Sequence, residues 1–263
     1  MNKIKKGDIV KRKTYGDNTL FVVKDIIDSV AILKGVTLRI EENIEIKELE
    51  IVKAEIIEKE KQEFDRGIEE AANRIINNTN KMMQKHLKAK ILHLDGDKKY
   101  SEKSARVYLR FKLNAIVKNI KESNQPYNIK SLLDKYNPDI VIITGHDGML
   151  KKGTRYNDIY NYRNSKYFIQ TVEEARKWEQ GANRLAIFAG ACQSYYEAIL
   201  SAGANFASSP ARILIDFMDP LIIAQKIAIT PQRKYLTIED IRNNLRDGER
   251  GIGGIGTFGK LKL

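Results

Sequence analysis

The 263-residue chain carries one cysteine, Cys192, and three histidines, His86, His93 and His146. Cys192 lies in Gly190-Ala-Cys-Gln-Ser194 and His146 in Thr144-Gly-His-Asp-Gly148, each directly after an apolar run. A thiol paired with an imidazole can do nucleophilic chemistry. The imidazole takes the thiol proton, sulfur attacks a carbonyl, and the imidazolium returns the proton to the leaving group. A thiol just ahead of a helix lies near that helix's unpaired amides, which predicts a lowered pKa. Gly190 and Ala191 leave the approach uncrowded, and the backbone amide of Cys192 is an expected oxyanion donor. The competing reading makes Cys192 a small buried hydrophobe and His146 a hydrogen-bonded loop residue. Their placement at two matched strand ends favours catalysis.

The other candidate groups point elsewhere. His93 stands two residues before Asp95 on one strand, hence on the same face, and reads as a packed, hydrogen-bonded histidine. His86 falls on a polar helical stretch and reads as exposed. No set of three or four nitrogen and sulfur ligands is closely spaced, so no metal is expected. A phosphate loop is absent, and Gly251-Ile-Gly-Gly-Ile-Gly256 follows no clear strand, so no nucleotide cofactor is expected either.

The elements that would position these groups follow from periodicity. Beyond residue 89, short apolar strands alternate with helical stretches: Ile91–Leu94, Ala115–Ile120, Asp139–Thr144, Arg184–Ala189 and Ala204–Ala207 as strands. Between them lie helices with Tyr100, Ala105, Tyr108, Leu109 and Leu113 as one apolar stripe, then Ile129–Tyr136, Ser165–Glu179 and Tyr195–Ser201. The fold class is α/β, a mostly parallel sheet with helices on both faces. In such sheets functional groups gather beyond the carboxyl ends of the strands, where Asp95-Gly-Asp97, Gly145–Gly148 and Gly190–Ser194 all fall. Residues 1–54 instead read as five short strands, among them Val36–Ile40 and Ile44–Val52, forming a small SH3-like β-barrel. Residues 55–88 switch to helical spacing (Ile56, Ile57, Phe64, Ile68, Ala72, Ile75) and read as a connector, leaving 89–263 as the α/β domain.

Composition narrows the class. Charged residues make up 30% of the chain, and no apolar run approaches the length of a membrane helix, so a membrane partner is not expected. The start lacks the apolar core of a signal peptide, and one cysteine excludes an intrachain disulfide; both suit a reducing cytoplasm. A net charge of +12, with most of the surplus beyond residue 90, would also suit a nucleic-acid-binding protein using the barrel. Only Tyr15 and Phe21 would offer stacking there, so nucleic acid is not the expected partner. A non-catalytic scaffold that keeps the fold of a dead enzyme is the third reading.

Gly190-Ala-Cys-Gln-Ser194 resembles the nucleophile elbow of glutamine amidotransferases, but in those folds the histidine follows the nucleophile, and none follows Cys192 here. The order His, then Cys 46 residues later, each after an apolar strand, resembles the caspase–hemoglobinase clan instead. That clan's pattern is His-Gly and Ala-Cys; this chain has Ala191-Cys192 but His146-Asp147-Gly148. The departure leaves either Asp147 or Gly148 as the second oxyanion donor. Four segments in order, His93–Asp97, Ile143–Asp147, Phe188–Ser194 and Gly203–Pro210, together with Gly7-Asp-Ile-Val10 and the Gly251–Ile255 tail, resemble the YabG family of sporulation-specific proteases.

The resemblance implies a caspase-like domain and a cytoplasmic cysteine endopeptidase of the mother cell. Its protein substrates would be spore coat and cortex-processing proteins. In the wider clan the end of the first strand reaches the pocket for the residue before the scissile bond. Asp95, with Asp97 nearby, would there pair with a substrate Arg or Lys. The alternative, that these carboxylates cap the following helix, stands beside it. Ser208 and Ser209, after the fifth strand, would line the same pocket.

Overall fold

A computed structural model describes residues 3–13, 19–77, 88–151, 153–179 and 184–262. The expectations for His86 and Tyr15 fall outside these residues. Alternating apolar residues near the N-terminus form five antiparallel strands: β1 (Ile9–Arg12), β2 (Phe21–Ile27), β3 (Val30–Gly35), β4 (Glu41–Glu45) and β5 (Leu49–Ile51). They pair in the order β4-β3-β2-β1-β5. A 3-10 turn at Ile46–Glu48 splits the single strand expected over Ile44–Val52.

Val36–Ile40 alternates like a strand in sequence yet forms a bent loop. Its two ends stay bonded close to the sheet, Val36 N donating to Leu20 O and Gly35 N to Ile40 O, while other groups find partners elsewhere. Lys99 Nζ donates to Val36 O at 2.9 Å and Thr37 Oγ1 donates to Glu60 Oε1 at 2.8 Å. Helix α1 (Ala54–Asn77) follows and buries Ile68, Ala72 and Ile75.

The α/β unit contains β6 (Lys90–Asp95), α2 (Lys98–Arg110), β7 (Asn114–Asn119), α3 (Gln125–Tyr136), β8 (Ile140–Thr144), α4 (Ser165–Trp178), β9 (Ala186–Ala189), α5 (Tyr196–Ser201) and β10 (Phe206–Ser208). Helix α6 (Asp219–Ile229) and the short strands β11 (Tyr235–Leu236), β12 (Ile252–Gly254) and β13 (Thr257–Phe258) complete it. The sheet order is β12-β10-β9-β8-β6-β7, parallel throughout except for β12, which runs antiparallel to β10.

Central strands β8 and β9 are buried at every position, as strands covered on both faces must be. Their side chains alternate between two cores. Ile91, Ile140, Ile142, Ala186 and Phe188 pack with α2, α6, α1 and the N-terminal sheet. Leu92, Val141, Ile143, Ile187 and Ala189 pack with Ile129 and Leu133 of α3 and Phe168 and Val172 of α4.

The stripe expected on α2 is corrected in part. Tyr100 and Tyr108 are buried with Ser101, Ser104 and Val107, whereas Leu109 is 77% exposed. The chain runs outward from β6 to β7 and returns past β6 to β8, so the connection reverses between β6 and β8. Carboxyl ends beside such a reversal form the crevice of an open α/β sheet.

Candidate active site

Ile143 of β8 and Ala189 of β9 are register partners, and Gly190 N donates to Ile143 O at 3.0 Å. His146 and Cys192 each stand three residues beyond that pair, at equivalent positions on adjacent strand ends. Both are fully buried. The Tyr100 ring lies 5.5 Å from that of His146, and the Cys192 thiol donates to Ile215 O at 4.0 Å. Gly190 makes the exit from β9 possible. Its φ is +114°, and a Cβ there would lie 2.5 Å from Ser208 Oγ. Gln193, just after the cysteine, holds a left-handed φ of 57° and is fixed by a bond from its amide to Ile213 O. Strain of this kind collects at functional sites because the surroundings must enforce it.

The two loops are tied together by Asp147. Its carboxyl group accepts bonds from the amides of Gly148 and Asn164 and from the hydroxyls of Ser165 and Ser194. Ser194 Oγ in turn accepts from Ala191 N at 2.9 Å, next to the cysteine. A second carboxyl group, Glu122, accepts from His146 N at 2.7 Å and fixes the histidine backbone. Burial raises the pKa of both carboxyl groups.

Neither ring nitrogen of His146 has a hydrogen-bond partner among the described residues. A buried imidazole so placed is costly, and structural histidines are rarely left this way. Burial, aided by Lys34 and Arg39, holds its pKa well below 6.5, so the ring is a neutral base at pH 7. The thiol departs from expectation. Burial pushes Cys192 up to about 11, and the opposing charge of Arg39 does not prevail. The expected helical field is weak here, because α5 has six residues and starts four positions further on.

Asp95 is fully buried at the end of β6 and holds a residue from the loop between β3 and β4: Arg39 Nη2 donates to its Oδ2 at 2.8 Å. A chain of bonds orients this carboxylate. Thr144 Oγ1 donates to Asp95 Oδ2 at 2.7 Å, His93 Nε2 lies 2.7 Å from that hydroxyl, and Tyr108 OH lies 3.1 Å from His93 Nδ1. With the threonine proton on Asp95, His93 carries its own on Nε2 and accepts from Tyr108. Burial, helped by Arg39, keeps His93 neutral, with its pKa well below 6.5. His93 is thus the packed, hydrogen-bonded residue that its strand position implied.

Asp97 caps α2, accepting from Lys99 N at 2.8 Å, and pairs with Lys34 at 2.9 Å. Ser208 Oγ donates to Ala191 O at 2.9 Å, beneath the cysteine loop. Ser209 Oγ exchanges bonds with the Ile213 backbone. The two amides expected beside the histidine have different partners. Gly148 N is bonded to its neighbour's carboxyl oxygen Asp147 Oδ1, whereas Asp147 N donates at 3.2 Å to a backbone carbonyl, that of Arg39. Sequence reasoning had no hold on Arg39, Glu122 or Phe217. Phe217 and Tyr100 pack on each other at 5.8 Å, and the Arg39 guanidinium lies against both rings at 5.1 and 5.0 Å. Among the described residues, no group of three or more His, Cys, Asp or Glu could hold a metal ion. No described helix is long and apolar enough to cross a membrane.

Comparison with known proteins gives a consistent picture. The family model described as YabG peptidase U57 matches residues 5–263. The "Sporulation-specific protease YabG" of Bacillus subtilis (strain 168) is 43% identical over 178 residues, 68% of this chain and 61% of that relative. The chain therefore spans less than two thirds of the relative's length. No solved structure matches.

Proposed function

The chain belongs to the YabG peptidase U57 family, and from that premise we propose that it is a sporulation-specific cysteine endopeptidase with Cys192 as nucleophile and His146 as base. One observation carries this reading: the only cysteine and a buried histidine whose two nitrogens have no partner among the described residues occupy matching positions on adjacent strand ends. His146 takes the thiol proton as sulfur attacks the scissile carbonyl. The resulting oxyanion is held by the backbone amides of Cys192 and Asp147, Gly148 being engaged by the Asp147 side chain. Collapse forms a thioester and expels the amine, which receives the proton from His146; water then releases the acid by the same base.

Asp95 selects Arg, and Lys less well, before the scissile bond, through its buried carboxylate beside the aromatic rings of Tyr100 and Phe217. Asp97, Ser208 and Ser209 shape the surrounding wall. The substrates on this reading are spore coat and cortex-processing proteins in the mother-cell cytoplasm. The architecture is a caspase-like domain, 89–263, joined by the 55–88 connector to an SH3-like barrel, 1–54. The five-strand order with a 3-10 turn before β5 supports the latter. The test is cleavage of arginyl reporter peptides by the wild type and by folded Cys192→Ala and His146→Ala variants. Both variants are expected to be inactive, and an active Cys192→Ala protein would refute the assignment.

A further inference from the structure

Arg39 meets the site through three different groups. Its guanidinium is on Asp95 Oδ2 at 2.8 Å and sits against the packed pair of Tyr100 and Phe217 rings, 5.0 and 5.1 Å from their centres. Its carbonyl oxygen accepts from Asp147 N at 3.2 Å. Its backbone amide and its charge lie near enough to the Cys192 thiol to favour the thiolate, although the thiol's own hydrogen bond goes to Ile215 O at 4.0 Å. These are the contacts an arginine before a scissile bond would make: side chain in the specificity site, carbonyl on an oxyanion donor, main chain beside the nucleophile.

The segment that presents Arg39 bulges from its own sheet between two anchors, Val36 N donating to Leu20 O and Gly35 N to Ile40 O, each at 2.8 Å. Val36–Ile40 has strand-like alternation but is a loop, with Lys99 and Glu60 holding Val36 and Thr37. Beyond Arg39, Ile40 bridges Asp147 in parallel, and Glu41 N donates to Asp147 O at 2.9 Å. The chain thus crosses the strand ends as an added strand would. Gly148 permits the approach, since a Cβ there would lie 2.2 Å from Glu41 O.

We propose that residues 36–40 are a built-in pseudosubstrate, with Arg39 seated in the arginine site of the resting enzyme, so that protein substrates enter only after the segment withdraws. The proposal rests on the reading of Asp95 as that site. Arg39 is held incompletely. Its Nε and Nη1 are buried without a partner among the described residues, although its 1% exposure would normally demand a filled donor fork. A purely structural arginine gains nothing from that deficit, whereas an occupant that must leave does. The raised thiol pKa and the buried, neutral imidazole also describe a covered, unreactive pair.

The test uses the intact chain, its mass confirming an unbroken Arg39–Ile40 bond. Cys192 is the only cysteine, so iodoacetamide labelling reports on it alone. If the segment is withdrawn in one molecule in ten or fewer, Arg39→Ala should label about tenfold faster or more. Arginine amide should return that variant toward the wild-type rate by refilling the site. Equal labelling rates, or acceleration that arginine amide does not reverse, would overturn the proposal.

A second measurement needs no variant. Hydrogen exchange at residues 36–41 of the wild type should quicken as arginine amide is added, and unchanged exchange at saturation would also overturn it. Cleavage of peptides enters neither readout, so failure of the peptidase assignment would be seen separately, as inactive Arg39→Ala protein whose thiol is nevertheless exposed.

Discussion

Ser194→Ala should show how tightly the histidine and cysteine loops are tied. Ser194 is fully buried, and its hydroxyl accepts from Ala191 N at 2.9 Å and donates to Asp147 Oδ2 at 2.8 Å. Removing it leaves the Ala191 amide without that acceptor, which costs about 1–3 kcal/mol, and deletes one bond worth about 1 kcal/mol. Asp147 itself stays held by Gly148, Asn164 and Ser165. The expected loss of stability is about 2–4 kcal/mol, a large share of the roughly 5–15 kcal/mol that stabilises a typical domain. With a slope near 2 kcal/mol/M, the urea midpoint should fall by about 1–2 M. Cys192 and the Asp147 amide lie at the two ends of this link, and a misplacement of about 1 Å can cost about a hundredfold in rate. Activity should therefore fall through kcat, with KM little changed. Ser165→Ala also removes a donor to Asp147, so the two substitutions should couple by more than about 0.5 kcal/mol in a double-mutant cycle. A midpoint shift equivalent to less than about 1 kcal/mol, with unchanged kcat, would show that the loops are held by something else.

Asp219, at the start of α6, is buried beside Asp216 and its pKa is pushed up to about 7 from 3.8, chiefly by burial. The unfolded chain ionises first, so this group lowers stability as pH rises from about 4 to 7, by about 4 kcal/mol in all. The difference in unfolding free energy between wild type and Asp219→Asn should follow that window, and a difference independent of pH would contradict it. Gly148→Ala should force the Glu41 backbone away, costing about 1–3 kcal/mol; faster Cys192 alkylation would accompany it, and an unchanged thiol would argue against the contact. Asp95→Asn should reduce the preference for arginyl over alanyl peptides about tenfold or more, judged by the ratio of kcat/KM; equal proportional losses on both would remove Asp95 from the specificity site.

The legible parts of the molecule were those whose residue types admit one environment. Ile140–Thr144, apolar with no polar alternation, could only be a strand covered on both faces, and it fixed where His146 emerges. The rarity of cysteine and histidine then singled out the pair. Helix α6 left no such trace: Pro220 to Ala228 is buried all round apart from Lys226, so no amphipathic period marks it. Val36–Ile40 misled in the opposite sense: its alternation is genuine and its ends are anchored beside its own sheet, but Val36 O, Thr37 and the Arg39 carbonyl are bonded across the molecule. Arg39 is one of 46 basic residues, and nothing local distinguishes an arginine that will be buried on Asp95 from one in water. Glu122 was hidden for the same reason, its role being set by a histidine backbone 24 positions away. The thiol pKa ran opposite to expectation because burial depends on residues distant in sequence, such as Ile215, whereas the short helix after Cys192 is visible locally.

The most direct test of the central claim is covalent capture with a peptidyl-arginyl acyloxymethyl ketone, followed by mass mapping of the labelled residue. Attack by the thiolate expels the carboxylate and leaves a stable thioether. One equivalent of label is expected, on Cys192, suppressed by excess arginine amide and abolished in a folded His146→Ala variant. Label on another residue, or label on Cys192 that persists undiminished without His146, would contradict it.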